Sequence, residues 1–484
     1  MYSGRWLLLL VCATLCLAEK VRYDGYQVLR ITPKTDHDIN VLRNLVQNLL
    51  SFWSEPSYVN KPVDIMISPL LSEEALTYLD QQRIHTDVMI KNVQELIDEE
   101  QKGLNRSAFD YNKYNTYEVI QQWITDTAAS YITATEGSLG TSYEGRNIGY
   151  LKISTGGNKK AVVIHGAIHA REWITPATVI YLAKYLVEGG ADARNLLNKF
   201  DFYIIPVLNV DGYAYTWTSV YGYPGHSIST GGNKKAVVIH GAIHAREWIT
   251  PATVIYLAKY LVEGGADARN LLNKFDFYII PVLNVDGYAY TWTSNRLWRK
   301  TRKPNVGSDC VGTDPNRNFA TGWGGAGSSE EPCSEIYHGT VPFSEPETAA
   351  IRDFVSSLGG GDGVALYIDY HCFSQLWLIP YGYTDTVPAN YDTQFAGAEA
   401  ACTAIKGVHG MEYVSGNIYD VIYPASGESI DYMYAGQGVQ FSYSPEGRDT
   451  GKYGFILPDC YIQPSGEENW AAFKAICNFA YTNI

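Results

Sequence analysis

Long apolar runs are scarce. Beyond the first twenty residues the chain of 484 has no apolar stretch of about 18 residues, which excludes a transmembrane helix there. The one apolar segment is N-terminal. Arg5 is its basic part, Trp6 to Leu17 its apolar run, and Cys16-Leu17-Ala18 a small-residue cleavage pattern. It is too short to span a bilayer and reads as a secretory signal peptide over residues 1–18, cut after Ala18. Positive charge is also in deficit: 37 Lys and Arg stand against 51 Asp and Glu, a net charge of −14. A phosphate-binding surface needs clustered cations, so nucleic acid is excluded as the main partner. The acidic balance helps keep a secreted protein soluble. Cysteine is sparse. Cys12 and Cys16 leave with the signal, and Cys310, Cys333, Cys372, Cys402, Cys460 and Cys477 remain. No C-x-x-C pair exists, which excludes a cysteine-rich zinc knuckle. In an oxidising compartment some of the six should pair, and spacing does not say which. With 46% hydrophobic and 18% charged residues, the chain is no disordered polypeptide. Its length allows a large core and more than one domain.

What the chain does have is a repeat. Residues 153–219 are identical to residues 228–294, at an offset of 75. Two copies without drift are no solenoid. Such identity marks a recent duplication of coding sequence or an error in gene assembly. Each copy reads strand–loop–helix–strand. AVVIHGAI suits a buried parallel strand, and 173–187 has helical apolar spacing stopped by Gly189-Gly190. DFYIIPVLNV reads as a second buried strand, ended by a turn at Asp211-Gly212. Such βαβ units belong in an α/β sheet, where one copy is redundant. The linker 220–227 (VYGYPGHS) reads as a loop.

The upstream region differs. Residues 26–32 and 62–67 read as strands. Residues 36–53 form an amphipathic helix with Ile39, Leu42, Leu45, Val46, Leu49 and Leu50 on its apolar face. Further helices are expected at 72–81 and, highly charged, at 88–101. This makes a small α+β domain followed by an exposed polar segment. There Arg106-Ser107 offers a trypsin-type cleavage point, within the sequon Asn105-Arg106-Ser107.

Several residues carry chemistry. His169 and Glu172, repeated as His244 and Glu247, form H-x-x-E at a strand-to-helix junction, where imidazole and carboxylate can aim at one zinc ion. A polar pair at a helix start reads the same way. His371 follows the apolar run VALYIDY, as a third ligand or as a core histidine. Loops with Arg299 and with Asp314, Asn316 and Arg317 can grip carboxylate through guanidinium, or be plain solvated loops. Glu446 lies in SYSPEGRDTG, where a lone carboxylate is ordinarily at the surface.

Taken in order, H-x-x-E, LWRKTR, DPNRN, HCFSQLWLIPYG, IYPASGESID and EGRDTGKYGF resemble the zinc metallocarboxypeptidases of the pancreatic A/B type. The resemblance runs from about residue 20 to the C-terminus, one repeat copy aside. It implies an α/β catalytic domain over 107–484, a mixed eight-stranded sheet with helices on both faces. A small α+β activation propeptide over 19–106 precedes it. It implies a secreted, monomeric proenzyme, extracellular in a digestive lumen. A trypsin-like protease would activate it to remove C-terminal residues from peptides and proteins, with no role for membrane or nucleic acid. One Zn2+ per chain is held by His371 and one H-x-x-E pair. Asp314 orients the first histidine, Glu446 is the general base, and Arg299 stabilises the oxyanion. Asn316, Arg317 and Tyr423 clamp the substrate carboxylate. Arg171 or Arg246 is an accessory contact, and Cys310 pairs with Cys333. Ile430 and Ile418, both apolar, imply a preference for aliphatic or aromatic C-terminal residues. Three positions depart from the pattern: Glu428 replaces the usual Gly, Gly447 a bulkier apolar residue and Cys372 a small polar one. Two other readings stand beside this one, a non-catalytic peptide-binding relative disabled by the duplication and a B-type enzyme for Lys and Arg.

Copy 1 continues the family-like strand GRNIGYLKIS, and copy 2 runs on into NRLWRKTR. Only one H-x-x-E can meet His371. The longer uninterrupted match runs downstream from copy 2, so His244 and Glu247 are expected to bind. Copy 1 is then looped out with apolar surface exposed.

Overall fold

The computed structural model describes residues 20–49, 51–54, 56–104, 109, 111, 115–170, 172–218 and 226–484. The signal segment, the Arg106-Ser107 cleavage point with its sequon, Arg171 and most of the linker lie outside the described residues.

The N-terminal domain runs β1 (Gln27–Ile31), α1 (Asp36–Leu49), β2 (Ser51–Phe52), β3 (Val63–Ile67), α2 (Ser72–Gln81), β4 (Thr86–Ile90) and α3 (Val93–Leu104). Its antiparallel sheet has the order β2-β3-β1-β4. Ile31, Val63 and Ile65 of the sheet close on Val41 and Leu42 of α1 and Leu79 of α2. Two expectations are corrected here. The first helix stops at Leu49, because Ser51-Phe52 pairs with β3 and Trp53 packs on Phe373 and Phe455. The charged helix starts only at Val93. The residues before it are β-prone and fill the open edge of β1, with Val28 opposite Ile90. Asn92 then turns the chain, its side-chain oxygen accepting from the Gln94 amide at 3.2 Å.

Next come α4 (Tyr117–Ser130), β5 (Ala134–Thr141) and β6 (Asn147–Ile153). Copy 1 follows as β7 (Lys160–His165), α5 (Ile174–Glu188), α6 (Ala191–Lys199), β8 (Phe200–Ile205) and α7 (Val210–Thr218). Copy 1 lies outside the eight-stranded sheet: its β7 and β8 join β5 and β6 of the preceding chain in a separate four-stranded sheet, order β5-β6-β8-β7. The expected turn at Asp211-Gly212 lies inside α7, whose glycine amide is met by the Asn209 side chain at 3.1 Å.

Copy 2 comprises β9 (His226–Ile228), β10 (Ala236–His240), α8 (Ile249–Glu263), α9 (Gly265–Lys274), β11 (Asp276–Ile280) and α10 (Val285–Thr293). After it come α11 (Pro346–Ser357), β12 (Val364–Asp369), β13 (His371–Cys372), β14 (Leu376–Ile379), α12 (Tyr391–His409), β15 (Val414–Asn417), α13 (Ile418–Val421), α14 (Ser429–Ala435), β16 (Phe441–Gly447) and α15 (Ile462–Asn483). These strands form the eight-stranded mixed sheet, order β15-β14-β16-β12-β10-β11-β9, with β13 beside β16. The central pairs β10/β11, β10/β12 and β12/β16 are parallel. Strand alternation then sends side chains to two cores. Val237, Ile239, Phe277 and Ile368 share one with Leu257 of α8 and Phe473 of α15. Val238 and Tyr367 share the other with Ile351 of α11 and Met433 of α14. Both faces are therefore covered, as a buried parallel sheet requires. Cys310 and Cys333 form a disulfide between α10 and α11. Cys372, Cys402 and Cys477 are free and buried, and Cys460 is free and exposed.

Candidate metal centre and active site

The site grows from the C-terminal ends of the central strands. β10 ends at His240 and the chain must turn at once into α8. Gly241 makes that turn because a Cβ there would lie 2.9 Å from the Thr250 backbone. Thr250 Oγ1 accepts from the Ala242 amide at 2.8 Å and ties the loop to the helix. His244 and Glu247 fall within this tied loop, with His244 Nδ1 2.8 Å from Glu247 Oε1. β12 lies parallel to β10 with Asp369 opposite His240, so the chain just beyond β12 reaches the same point. There His371 Nδ1 stands 3.3 Å from Glu247 Oε2. β13 pairs with β16 and places Glu446 opposite His371.

His244, Glu247 and His371 are buried, with donor atoms all within 4.8 Å of one another. Two imidazoles and one carboxylate suit zinc, and three protein ligands leave a position open for chemistry. The outer ring nitrogens are both backed by carboxylates. His244 Nε2 lies 3.1 Å from Asp314 Oδ1, and His371 Nε2 3.1 Å from Asp369 Oδ2. Each contact turns the Nδ1 lone pair inward, as metal-binding histidines need. Burial works against charge at Asp314, yet Arg299 and His244 outweigh it and hold the carboxyl well below its usual range. Burial likewise opposes a proton on His371, but Asp369 and Glu247 hold its pKa well above the ordinary histidine value. The negative field that keeps a proton there also favours a divalent cation.

Arg299 is fixed from two sides. Its Nη2 and Nε donate to Asp314 Oδ2 at 2.8 and 3.1 Å. Its carbonyl and that of Lys300 accept from Asn284, the cap of α10. The Asp314 side chain also caps the turn of Pro315–Arg317, accepting from the Asn316 amide at 2.9 Å. Arg317 then donates to the Asn316 and Gly327 carbonyls. A single cavity is lined by His244, His371, Arg299, Asn316, Arg317, Tyr423 and Glu446, with Ile418, Leu378 and Glu428 among its other walls. Burial and the neighbouring carboxylates of Glu247 and Glu428 push the Glu446 carboxyl upward.

Other expected residues are placed differently. Ile430 is 1% exposed, in the core shared with Tyr367 and Met433, and is not among the cavity-lining residues. Arg246 is buried over the Phe455 ring at 4.2 Å, with Nη1 3.5 Å from Glu335. His169 and Glu172 keep the mutual contact of their copies, at 3.0 Å, but their side chains are 72% and 44% exposed. Among the described residues no third donor joins them. Asp369 is a further site residue, which no sequence motif marks. Its only signal is a carboxylate inside an otherwise apolar run two residues before His371. His240, Ser429 and His371 all contact it.

The N-terminal domain lies at the mouth of this site. Lys61 Nζ and Ser57 Oγ donate to the carbonyls of Val421 and Ile422, beside Tyr423. Arg30 reaches the Thr450 carbonyl at 2.8 Å. Arg296 makes a bidentate pair with Glu100 of α3, at 2.6 and 2.7 Å, while stacking on Trp248.

A two-histidine, one-carboxylate centre at strand ends of a mixed α/β sheet, covered by an α+β domain, defines a metallopeptidase proenzyme. Comparison with known proteins makes this specific. A zinc carboxypeptidase family model matches residues 120–230 and again 223–472, one match for each repeat copy, and a carboxypeptidase activation peptide model matches 29–100. Carboxypeptidase A2 of Rattus norvegicus is 35% identical over 464 residues, 93% of each chain. Carboxypeptidase B of Rattus norvegicus is 32% identical over 486 residues, 99% of each. The crystal structure of thrombin activatable fibrinolysis inhibitor covers 95% of this chain and all of its own, at TM-score 0.65 and 28% identity. The chain belongs to the zinc carboxypeptidase family, with an activation peptide and zinc as its metal. Its near-equal likeness to A-type and B-type relatives leaves specificity to the pocket itself. No helix among the described residues is long and apolar enough to cross a membrane.

Proposed function

We propose that the chain is a secreted zymogen of an exopeptidase that hydrolyses the C-terminal peptide bond of peptides and proteins. The observation that carries this reading is the single cavity holding metal donors, a carboxylate base and guanidinium groups together. Zinc, when bound by His244, Glu247 and His371, supplies a Lewis acid for the scissile carbonyl and for water. Glu446, beside His371, takes the proton from the attacking water and delivers it to the leaving amine. Arg299, held by Asp314, faces the carbonyl oxygen as negative charge develops there. Asn316, Arg317 and Tyr423 take the substrate's terminal carboxylate, and Arg246 is an accessory contact. A guanidinium clamp in the cavity wall holds a chain-terminal carboxylate, which an internal bond lacks.

The N-terminal domain, over 19–106, blocks the mouth through Lys61, Ser57 and Trp53. Cleavage at Arg106 by a trypsin-like protease releases it. The signal segment 1–18 directs the chain to the outside of the cell. Of the two residues behind the expected A-like preference, Ile418 lines the cavity and Ile430 lies in the core. Leu378, Ile418 and Ile422 accommodate the hydrocarbon part of any long side chain.

The test is Glu446→Gln in the zinc-loaded chain with its N-terminal domain removed. We expect zinc to stay bound and kcat to fall about 10²–10⁴-fold. Normal turnover by this variant would show that Glu446 is not the base. A processed native chain that keeps zinc and releases no C-terminal residue would favour a peptide-binding relative instead.

A further inference from the structure

Glu428 is a buried carboxylate beside the guanidinium of Arg317. It is 6% exposed and lines the cavity beside Arg317, Leu378, Ile418 and Ile422. Its placement follows from Gly427, at φ +78, where a Cβ would lie 2.4 Å from the Arg317 carbonyl oxygen. The backbone therefore presses against the clamp, and the next side chain is delivered into the pocket. Glu428 Oε1 accepts from Arg317 Nη1 at 3.3 Å. Its Oε2 is buried without a partner. Asp431, a second buried carboxylate, also has an unpartnered oxygen, Oδ1. Burial pushes the Glu428 carboxyl upward, Asp369 and Asp314 add to the rise, and Arg317 offsets only part.

A buried carboxylate with a free oxygen is costly unless a cation or donor meets it. The only cation contacting Glu428 is Arg317, among the described residues. That guanidinium is also the group offered to the substrate's terminal carboxylate. A substrate with a neutral side chain brings a second carboxylate to one guanidinium and leaves Glu428 unpaired. A substrate ending in Lys or Arg brings its own cation, with a methylene stem that suits Leu378, Ile418 and Ile422.

We propose that Glu428 is the specificity-determining residue of the pocket: paired with Arg317 in the free enzyme, it turns to a cationic C-terminal side chain when the substrate carboxylate engages Arg317. This rests on the exopeptidase reading above. The substrate class is peptides ending in Lys or Arg, selected from the wall of the pocket and not through Ile430.

The test compares blocked dipeptides ending in Arg, Lys, Phe or Leu, using the full chain activated by trypsin and its Glu428→Gln and Glu428→Gly variants. We expect the native chain to favour Arg and Lys in kcat/KM by at least about tenfold. Either variant should reverse that order, chiefly through KM, with Phe and Leu gaining. The native preference decides the matter even if a variant fails to fold. A native preference for Phe and Leu, or an Arg-to-Phe ratio unmoved by either substitution, overturns the proposal. Hydrolysis of none of the four substrates overturns instead the exopeptidase reading beneath it.

Discussion

Residues 153–218 and 228–293 share one amino-acid sequence and sit in two surroundings. Local structure repeats between them. Both long helices span the same fifteen residues, Ile174–Glu188 and Ile249–Glu263. Val163 pairs with Tyr203 as Val238 pairs with Tyr278. The Ala167 and Ala242 amides each donate to a threonine at 2.8 Å. Burial does not repeat. Val163 is 62% exposed at the open edge of β7, whereas Val238 is fully buried between β11 and β12. The helix faces are complementary. Ile180 is buried in a cluster with Ile120 and Trp123 of α4, and its twin Ile255 is 54% exposed. Leu257 is buried in a core shared with α15, and its twin Leu182 is 42% exposed. Each copy has kept half of one set of neighbours. The strand–helix unit is thus a local property of the sequence, while the metal site is not. Among the described residues no third metal donor joins His169 and Glu172; His244 and Glu247 also have His371 and Asp314.

The sharpest way to break the comparison is to remove the same ligand from each copy. Glu247→Gln should abolish zinc retention and turnover, since it removes one of three ligands and leaves two histidines facing an empty corner. Glu172→Gln should leave both unchanged within error. Zinc content by atomic absorption and kcat/KM on a blocked dipeptide read the two outcomes. A loss from the copy 1 variant would mean that the exposed pair binds the metal.

The complementary faces supply the second test. β6 meets β8 with Ile153 opposite Phe202, and β9 meets β11 with Ile228 opposite Phe277, the same register shifted by one repeat. Deleting residues 154–228 joins Ile153 to Ser229 and lets β6 take the edge that β9 now holds. α4 should then cover Ile255 and Val262, which is 72% exposed. Burying two such side chains is worth roughly 1.5–3 kcal/mol each as an upper bound. The deletion should therefore raise the thermal midpoint by several degrees with kcat/KM kept. A fall in both would mean that copy 1 supports the catalytic sheet.

This division also marks what was readable in the sequence. H-x-x-E and His371 are legible as polar residues at the ends of apolar strand patterns, whereas Glu446, Arg299 and Arg317 acquire roles only through the family resemblance. The unit's strands and helices were legible because periodicity is local. Three things were not. The start of β9 has the sequence of a loop, because His226-Ser227 has no strand signal and owes its pairing to the edge of β11. Asp369 belongs to no motif, because its role exists only once β12 lies beside β10. α3 starts later than its charge pattern suggests, because Val88 to Ile90 are claimed by β1. All three depend on a partner strand far away in the chain, which periodicity does not record.

The smallest expected effects come from mirror-image core substitutions, and they separate context from composition most cleanly. Leu257→Ala and Leu182→Ala delete the same atoms from the same position of the same helix sequence. The first leaves a cavity between α8 and α15 and should cost about 2–5 kcal/mol. The second removes a side chain already half in water and should cost under about 1 kcal/mol. The order must reverse one face round the helix: Ile180→Ala, under α4, should cost more than Ile255→Ala. Urea unfolding followed by tryptophan fluorescence gives the four midpoints. Two transitions are expected if the two sheets unfold separately, and each substitution should then move only the transition of its own sheet. Equal costs within each pair would mean that helix propensity, which is identical in the two copies, outweighs the neighbours. The reversal isolates packing as the cause, because no property of the sequence itself differs between the members of a pair.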